Sequence, residues 1–301
     1  MVLVGLFSLS SSSLFVLWLL MEVGVVLFMG MIASEVYQSA ESGAKFFLAQ
    51  AFIGVSLLFI FQMGGWESSL KIGGPILSTC MLAKMGIAPF HFWVPNVTKN
   101  LSPESLFVLL SFQKLPGMII FGWGVSFDCH MGKFLAVCGV ISGILGHSYK
   151  DFNTVLAFSS MVTTVWLLVV SMLDPSLMIF CFLAYSGLLF FTLGALKKNN
   201  NMTRANSFGI WGLVLLAGCP GGPVFTMKWL VYCSLVSFGH LGEAVILGVS
   251  VVCVVPLYLS LIVNLLLIPK SWWYFESVSF FWVLGLVVMS VSFFWLPVFI
   301  C

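Results

Sequence analysis

The chain has 301 residues, of which 61% are hydrophobic and only 7% are charged, and its formal net charge is +2. This composition leaves too little polar surface to coat a water-soluble globule. The small, scattered positive charge, without a basic stripe interleaved with aromatic residues, also argues against a nucleic-acid partner. The composition therefore predicts a polytopic membrane protein.

The expected fold is all-α, a transmembrane bundle of about ten or eleven helices, because a bilayer core about 30 Å thick requires about 20 apolar residues per helix. A β-barrel would show alternating segments of about ten residues, whereas runs such as Val155–Leu173 do not alternate. The predicted helices are 1–11, 13–33, 44–63, 72–92, 104–126, 131–148, 152–173, 175–196, 207–240, 241–267 and 278–300. Residues 1–301 are expected to form a single membrane domain.

Two predicted segments have unsuitable lengths for a straight span. Segment 1–11 is too short to cross alone, so it is either a stub or the start of a longer tilted helix that includes Ser10–Ser13. Segment 207–240 is too long, and the sequence GCPGGP at Gly218–Pro223 lies in its middle. This pattern favours a helix that is broken at membrane depth.

The basic residues predict the orientation. The connections after the spans ending near 33, 92, 148, 196 and 267 contain Lys45, Lys99, Lys150, Lys197, Lys198, Arg204 and Lys270, and the opposite connections contain Lys71 and Lys133. By the positive-inside rule, the first set faces the cytoplasm or the matrix. No basic signal peptide or Arg-rich transit segment precedes the first apolar run, so insertion during synthesis is expected.

Four ionisable side chains lie deep inside the apolar segments, namely Glu22, Lys84, Lys114 and Lys228. Each costs about 2.5–3.5 kcal/mol at mid-bilayer, so such groups are usually functional. Burial favours a neutral lysine and a nearby carboxylate favours a charged one, which makes lysine suitable for loading and releasing protons. Glu22 is the natural candidate partner for Lys84.

Each of these lysines lies close to a proline that removes a backbone donor and frees a carbonyl one turn earlier. The prolines are Pro89, Pro116 and Pro223, and the carbonyls expected to be released belong to Met85, Phe112 and Cys219. Irregular backbone at membrane depth persists only where protein or a water-filled cavity satisfies it. The combination predicts a hydrated polar path. The competing interpretation, in which lysines extend to the headgroups, is favoured only for Lys45 and Lys71 at span edges.

The remaining titratable residues are weaker candidates. Glu243 is either a bundle residue or a loop residue near His240, and the loop is favoured. His91 is either a relay group or part of an aromatic belt, and the belt is favoured, while His130 and His147 are expected at the membrane interface. The eight cysteines are interpreted as packing residues. No dinucleotide, P-loop or iron–sulfur pattern occurs, so the chain is predicted to bind no redox cofactor and no metal.

Several motifs carry a specific resemblance. LAKMGIAPFHFWVPNV at Leu82–Val97, followed by FQKLPG at Phe112–Gly117, resembles subunit 2 of NADH:ubiquinone oxidoreductase, respiratory complex I. The APFHFWVP run distinguishes it from the related subunits 4 and 5. Further matches are WLLME at 18–22, ESGAKFFLAQA at 41–51, VLAFSS at 155–160 and GCPGGPVFTMKW at 218–229. Together they cover about three quarters of the chain.

The resemblance implies an antiporter-like, proton-translocating subunit without its own redox centre. Glu22 would be the family's glutamate, Lys84 its ion-pair partner, Lys114 the central lysine and Lys228 the lysine of the broken helix. NADH, FMN, iron–sulfur clusters and ubiquinone would be bound by partner subunits, and the neighbours would be other membrane-arm subunits and lipids. The length of the chain favours a mitochondrially encoded protein of the inner membrane.

Two rival functions remain open. A free-standing proton/cation antiporter of related fold would use similar broken helices and lysines. A scaffold subunit would use its buried charges only to fix helix packing. The chain also departs from the family at Asn96, at Asn153–Thr154 and at Pro220–Gly221, and none of these departures involves the four buried charges.

Overall fold

The computed structural model describes residues 1–11, 13–34, 39–64, 74–124, 129–197, 207–219 and 221–267. Helices are the only regular secondary structure in these ranges, as the all-α prediction requires. They are α1 (Val2–Ser10), α2 (Leu14–Ala33), α3 (Ser39–Gly64), α4 (Gly74–Met85), α5 (Trp93–Thr98), α6 (Pro103–Leu110), α7 (Leu115–Gly124), α8 (Cys129–Gly146), α9 (Phe152–Leu173), α10 (Pro175–Lys197), α11 (Ser207–Ala217), α12 (Pro223–Ser237) and α13 (Leu241–Leu267).

Six helical stretches within the described ranges are long and apolar enough to cross a bilayer. They are Leu14–Ala33, Glu41–Gln62, Pro103–Trp123, Phe152–Leu173, Pro175–Leu196 and Leu241–Leu265. The predicted spans 152–173 and 241–267 coincide with α9 and α13. The predicted helix 278–300 lies outside the described residues, as do Lys71, Lys198, Arg204 and Lys270.

The first segment is a separate short helix. Ser11 is extended, with φ −78° and ψ 136°, and Ser13 begins α2 by accepting a hydrogen bond from the amide of Val16. The nine residues of α1 rise about 14 Å, roughly half of a bilayer core. The stub interpretation therefore holds, and the longer tilted helix is wrong.

Helix α9 is the centre of the bundle. It packs against α5, α6, α7, α8, α10, α12 and α13, and every residue from Thr154 to Ser171 is buried. Six of these buried residues carry hydroxyls that donate to the carbonyl three residues earlier at 2.6–2.9 Å, namely Thr154, Ser159, Ser160, Thr163, Thr164 and Ser171. Their polarity is thereby satisfied without water.

Contacts between connections support the alternation of spans. Lys99 Nζ lies 3.6 Å from Asp151 Oδ2, and Asn153 Nδ2 donates to the Leu101 carbonyl at 3.0 Å. These contacts hold the connections after the fourth and sixth predicted spans at the same end of the bundle. The membrane side that this end faces stays a prediction.

Helices α8 and α13 approach closely along a seam of small residues. Gly139 and Gly143 have the four-residue spacing that lets two helices meet in a membrane. A Cβ atom at Gly143 would lie 2.8 Å from Cys253 Cβ on α13, and one at Gly139 would lie 3.6 Å from Ser250 Cβ. Glycine is therefore required at 143 by the close approach of α13.

We expect Gly143→Ala to destabilise the protein, because the added methyl group forces α8 away from α13. Overpacking of this kind costs about 1–3 kcal/mol, which should appear as a lower thermal unfolding temperature of the detergent-solubilised protein. Gly248→Ala, on α13 itself, is the matched control, since no described atom lies within 4 Å of the added Cβ. Equal unfolding temperatures for the two variants would contradict this account of the seam.

Candidate functional site

Glu22 on α2 and Lys84 on α4 form an ion pair. Glu22 is the ninth of the twenty residues of α2, and the Lys84 amino group donates to its Oε1 atom. The side chain of Lys84 is 8% exposed and that of Glu22 is 27% exposed. A Cβ atom at Gly54 on α3 would overlap the carboxylate, so this glycine makes room for the pair. The predicted partners therefore meet.

The helix that carries Lys84 ends earlier than predicted, and for a different reason. The predicted helix 72–92 was expected to lose a hydrogen bond at Pro89, but α4 already ends at Met85. Gly86 has φ +70°, a conformation that glycine adopts readily. The amide of Ile87 donates back to the Leu82 carbonyl at 2.9 Å, which completes a glycine C-cap. The helix break is therefore set by Gly86.

Side chains from other helices satisfy the exposed end of α4. Gln50 Nε2 donates to the Lys84 carbonyl at 3.0 Å, and Trp93 Nε1 donates to the Ala83 carbonyl at 3.2 Å. The Lys84 ammonium also lies in the last turn, where the helix dipole favours a cation. The position of Lys84 is thus fixed by both its side chain and its backbone.

Lys114 lies at a second break. It is the twelfth of 21 residues in the stretch Pro103–Trp123, between α6 and α7, and it is 6% exposed. Its amino group donates to Ser160 Oγ on α9 at 3.0 Å. Pro116 was expected to cause the break by releasing a carbonyl, but it is the second residue of α7, where a proline is tolerated. The irregular turn precedes it, at residues 111–114.

A small cavity joins the surroundings of these two lysines. Its volume is about 20 Å³, and its lining includes Lys84, Lys114, Gln113, Trp93 and Ser160. The Nε2 atom of Gln113 is buried and has no hydrogen-bond partner among the described residues. A polar cavity of this size holds about one water molecule. Lys84 and Lys114 thus line the same small cavity, whose walls are mostly apolar.

Lys228 occupies the third break. The predicted interruption of segment 207–240 is confirmed, since α11 ends at 217 and α12 begins at 223. Lys228 is 8% exposed, and a Cβ at Gly218 would lie 3.5 Å from its Nζ atom. Pro223 is the first residue of α12, and the Cys219 carbonyl accepts from the Gly222 amide at 3.0 Å. The prediction that Pro223 frees this carbonyl was therefore wrong.

Helix α9 connects the sites of Lys114 and Lys228. It packs against α7, which begins next to Lys114, and against α12, which carries Lys228. The structure thus brings Glu22, Lys84 and Lys114 into one continuous cluster. Lys228 lies on α12, which also packs against α9.

The sequence analysis missed or misjudged other buried polar groups. Tyr185 and Tyr258 are each 2% exposed, and Tyr258 donates to Ser159 Oγ at 2.9 Å. Glu243 is 1% exposed, so the favoured loop interpretation was wrong; its Oε2 atom lies 3.8 Å from His240 Nδ1. For the two tyrosines the available signal was their depth within predicted helices 175–196 and 241–267. Glu243 is only the third residue of 241–267, so its position carried no such signal.

His91 lies in an aromatic cluster. Its ring stacks on Phe92 with centroids 4.8 Å apart and meets Phe158 edge-on at 5.8 Å. These contacts favour the aromatic interpretation over a relay. Among the described residues, no three His, Cys, Asp or Glu side chains are grouped so that they could hold a metal ion.

The motif-based resemblance is confirmed by comparison with known proteins. NADH-ubiquinone oxidoreductase chain 2 of Metachirus nudicaudatus is 28% identical over 250 residues, which cover 75% of this chain and 71% of that one. The protein of the same name from Thyroptera tricolor is 24% identical over 314 residues, covering 94% of this chain and 90% of that one. No protein-family model matches.

Solved structures share the fold. A chain of respiratory complex I from Thermus thermophilus has a TM-score of 0.74 at 16% identity, covering 94% of this chain and 73% of that one. A chain of the Mrp complex from Dietzia sp. DQ12-45-1b has a TM-score of 0.68 at 15% identity, covering 82% and 56%. The chain is thus a multi-pass membrane protein with the fold of these subunits.

We expect Glu22→Gln to destabilise the protein, because it leaves the Lys84 ammonium buried without its counterion. Removing one partner of a fully buried ion pair costs about 3–5 kcal/mol, and we expect less here because the Glu22 side chain is 27% exposed. The double variant Glu22→Gln/Lys84→Met should recover most of the loss, since it removes both charges. Thermal unfolding in detergent measures the effect; a double variant that is less stable than Glu22→Gln would show that the pair does not determine stability.

Proposed function

We propose that this chain is a core membrane-arm subunit of NADH:ubiquinone oxidoreductase, respiratory complex I, in the mitochondrial inner membrane. Residues 1–301 form one membrane domain that translocates protons through Glu22, Lys84, Lys114 and Lys228 together with water. Electron transfer from NADH to ubiquinone drives the process, and NADH, FMN, the iron–sulfur clusters and ubiquinone are bound by partner subunits. The similarity to chain 2 proteins over most of the sequence supports the assignment.

The observation that carries the proposal is the small cavity that Lys84 and Lys114 both line, together with Gln113 and Ser160. Two ammonium groups at one small cavity repel each other strongly in a low-dielectric interior. Protonation of one therefore disfavours protonation of the other, and water in the cavity would carry the proton between them.

The ion pair supplies control over this transfer. While Glu22 contacts Lys84, the carboxylate stabilises the ammonium and holds its proton. When the pair opens, the ammonium loses its counterion inside an apolar bundle, which is costly. The proton then passes through the cavity to Lys114, whose partner, Ser160, is a neutral hydroxyl. Lys228 receives protons on the exit or coupling side.

The surface next to Glu22 supports a partner subunit. Glu22 opens into a groove of about 300 Å³ between α2 and α3, whose lining also includes Val23, Val26 and Phe47. Val23 and Val26 are exposed. A carboxylate open to lipid at mid-membrane is costly, so a helix of a neighbouring membrane-arm subunit covers this groove, and lipid covers the remaining apolar surface.

A free-standing proton/cation antiporter is the second candidate, because the Mrp chain shares the fold. Native fractionation of membranes separates the two functions. A complex I subunit migrates with flavin and iron–sulfur proteins and is depleted when they are absent. Migration as a monomer or homo-oligomer would favour the antiporter.

We expect Lys114→Met to lower the number of protons translocated per NADH oxidised, because it removes a titratable group from the path while preserving much of the side-chain volume. The measurement uses sealed membrane vesicles, normalised to the amount of assembled complex. Lys99→Met is the control, since Lys99 is exposed and pairs only weakly with Asp151 at 3.6 Å.

Two outcomes would contradict the proposed role of Lys114. Wild-type stoichiometry in the assembled Lys114→Met complex would falsify proton transfer through this residue. If Lys114→Gln lowered the amount of assembled complex and left the stoichiometry unchanged, the chain would be a scaffold.

A further inference from the structure

Two helix ends meet at the mostly apolar cavity that Lys84 and Lys114 line. Met85, the last residue of α4, and Leu109 and Leu110, the last two residues of α6, belong to its lining. The final carbonyl groups of a helix have no donor within that helix, so they require hydrogen bonds from elsewhere. The cavity therefore lies at two C-terminal helix ends at once.

The backbone at the end of α6 releases two carbonyl groups. In an unbroken helix the amide of Gln113 would donate to the Leu109 carbonyl, but it donates to the Val108 carbonyl at 3.1 Å instead. The next amide along the chain donates to the Ser111 carbonyl at 3.0 Å, so the Leu110 carbonyl also loses its helical donor.

The end of α4 releases a third carbonyl group. The residue four positions after Met85 is Pro89, which has no N–H to donate. The side chains of Gln50 and Trp93 donate to the two carbonyl groups that precede Met85 in α4. The carbonyl of Met85 itself has lost its helical donor, at a point where the chain lines the cavity.

Gln113 brings a hydrogen-bond donor to the same place. It lines the cavity, and its buried Nε2 atom has no partner among the described residues. Its Oε1 atom lies against α2, where a Cβ atom at Gly24 would be 3.5 Å away. An amide nitrogen and an ammonium group only donate, and a carbonyl oxygen only accepts. A water molecule does both, and the cavity volume of about 20 Å³ suits one water.

We propose that Gln113 is a positioning residue that holds one water molecule between Lys84 and Lys114, an inference that rests on the proposed function. Nε2 of Gln113 donates to the water oxygen, and one of the released carbonyl groups accepts one water hydrogen. The oxygen also accepts from one lysine, and the second hydrogen is donated to the other lysine. Each of the four hydrogen-bonding positions of the water is then used.

Proton transfer through this water is balanced. With Lys84 protonated and Lys114 neutral, an N–H bond of Lys84 breaks as an O–H bond forms on the water. The O–H bond directed at Lys114 breaks as an N–H bond forms on its amine. The water is neutral before and after, and no oxidant or reductant is required. Because Gln113 donates to the oxygen, it disfavours hydronium and keeps the proton on an amine.

The first test is a high-resolution map of the assembled complex. We expect density for a water oxygen about 2.7–3.2 Å from Gln113 Nε2 and equally close to a released carbonyl oxygen. Gln113→Met, which removes the amide and preserves much of the side-chain volume, should lose this density. A wild-type map without a water in contact with Nε2 would overturn the inference, and this result does not depend on any variant.

The second test measures protons translocated per NADH in sealed vesicles, normalised to the amount of assembled complex. Gln113→Met should lower this number by at least half of the loss caused by Lys114→Met, because the water is no longer held in place. Gln62→Met is the matched control, since it makes the same substitution at an exposed position of α3, and it should keep the wild-type value. A purely structural role of the amide would reduce the amount of assembled complex and leave the stoichiometry unchanged.

The outcomes separate this inference from the proposed function. A loss in Lys114→Met with wild-type stoichiometry in Gln113→Met would overturn the positioning role alone. Equal losses in Gln113→Met and Gln62→Met would show an effect unrelated to the cavity, and would also overturn it. Unchanged stoichiometry in Lys114→Met would overturn the proposed function itself, and the map would still decide whether Gln113 holds a water.

Discussion

An ionised side chain at mid-membrane must be paired, hydrated or neutralised, and the architecture around α9 reflects this constraint. The Glu22–Lys84 pair shows how it is met. The ammonium has a carboxylate partner and sits at the end of a helix, where the dipole favours it. The same helix end exposes carbonyl groups, and Gln50 and Trp93 donate to two of them. The Lys84 ammonium therefore stabilises the C-terminal end of α4, and this helix end in turn stabilises the ammonium.

The three lysines meet the same constraint with partners of different strength. Lys84 has a carboxylate, Lys114 has a serine hydroxyl, and Lys228 lies beside the glycine turn that ends α11. A carboxylate holds a proton on an amine far more strongly than a neutral hydroxyl does. In the proposed function, this gradient favours storage at Lys84 and transit at Lys114. A row of three equally strong ion pairs would instead trap protons.

Sequence alone predicted the features that depend on composition and missed those that depend on tertiary contacts. The limits of α9 and α13 follow from long apolar runs between polar residues. The early end of α4 depends on the left-handed conformation of Gly86, and the turn before Lys114 depends on packing against α9. Tyr185 and Glu243 lie within apolar runs like many of their neighbours. Only the packing of α9, α10 and α13 shows that both side chains are buried.

The central helix also shows how hydroxyl groups are accommodated in a tightly packed membrane bundle. Each of its buried hydroxyls donates to its own backbone three residues earlier, so α9 can be enclosed by seven other helices without unsatisfied donors. That local bond is modest in strength, about 0.5–1.5 kcal/mol net. A single side-chain rotation can therefore move the donor from the backbone to a neighbouring side chain at low cost. An apolar α9 would pack as well but would give Lys114 no hydroxyl partner, whereas a charged α9 would be too costly to bury.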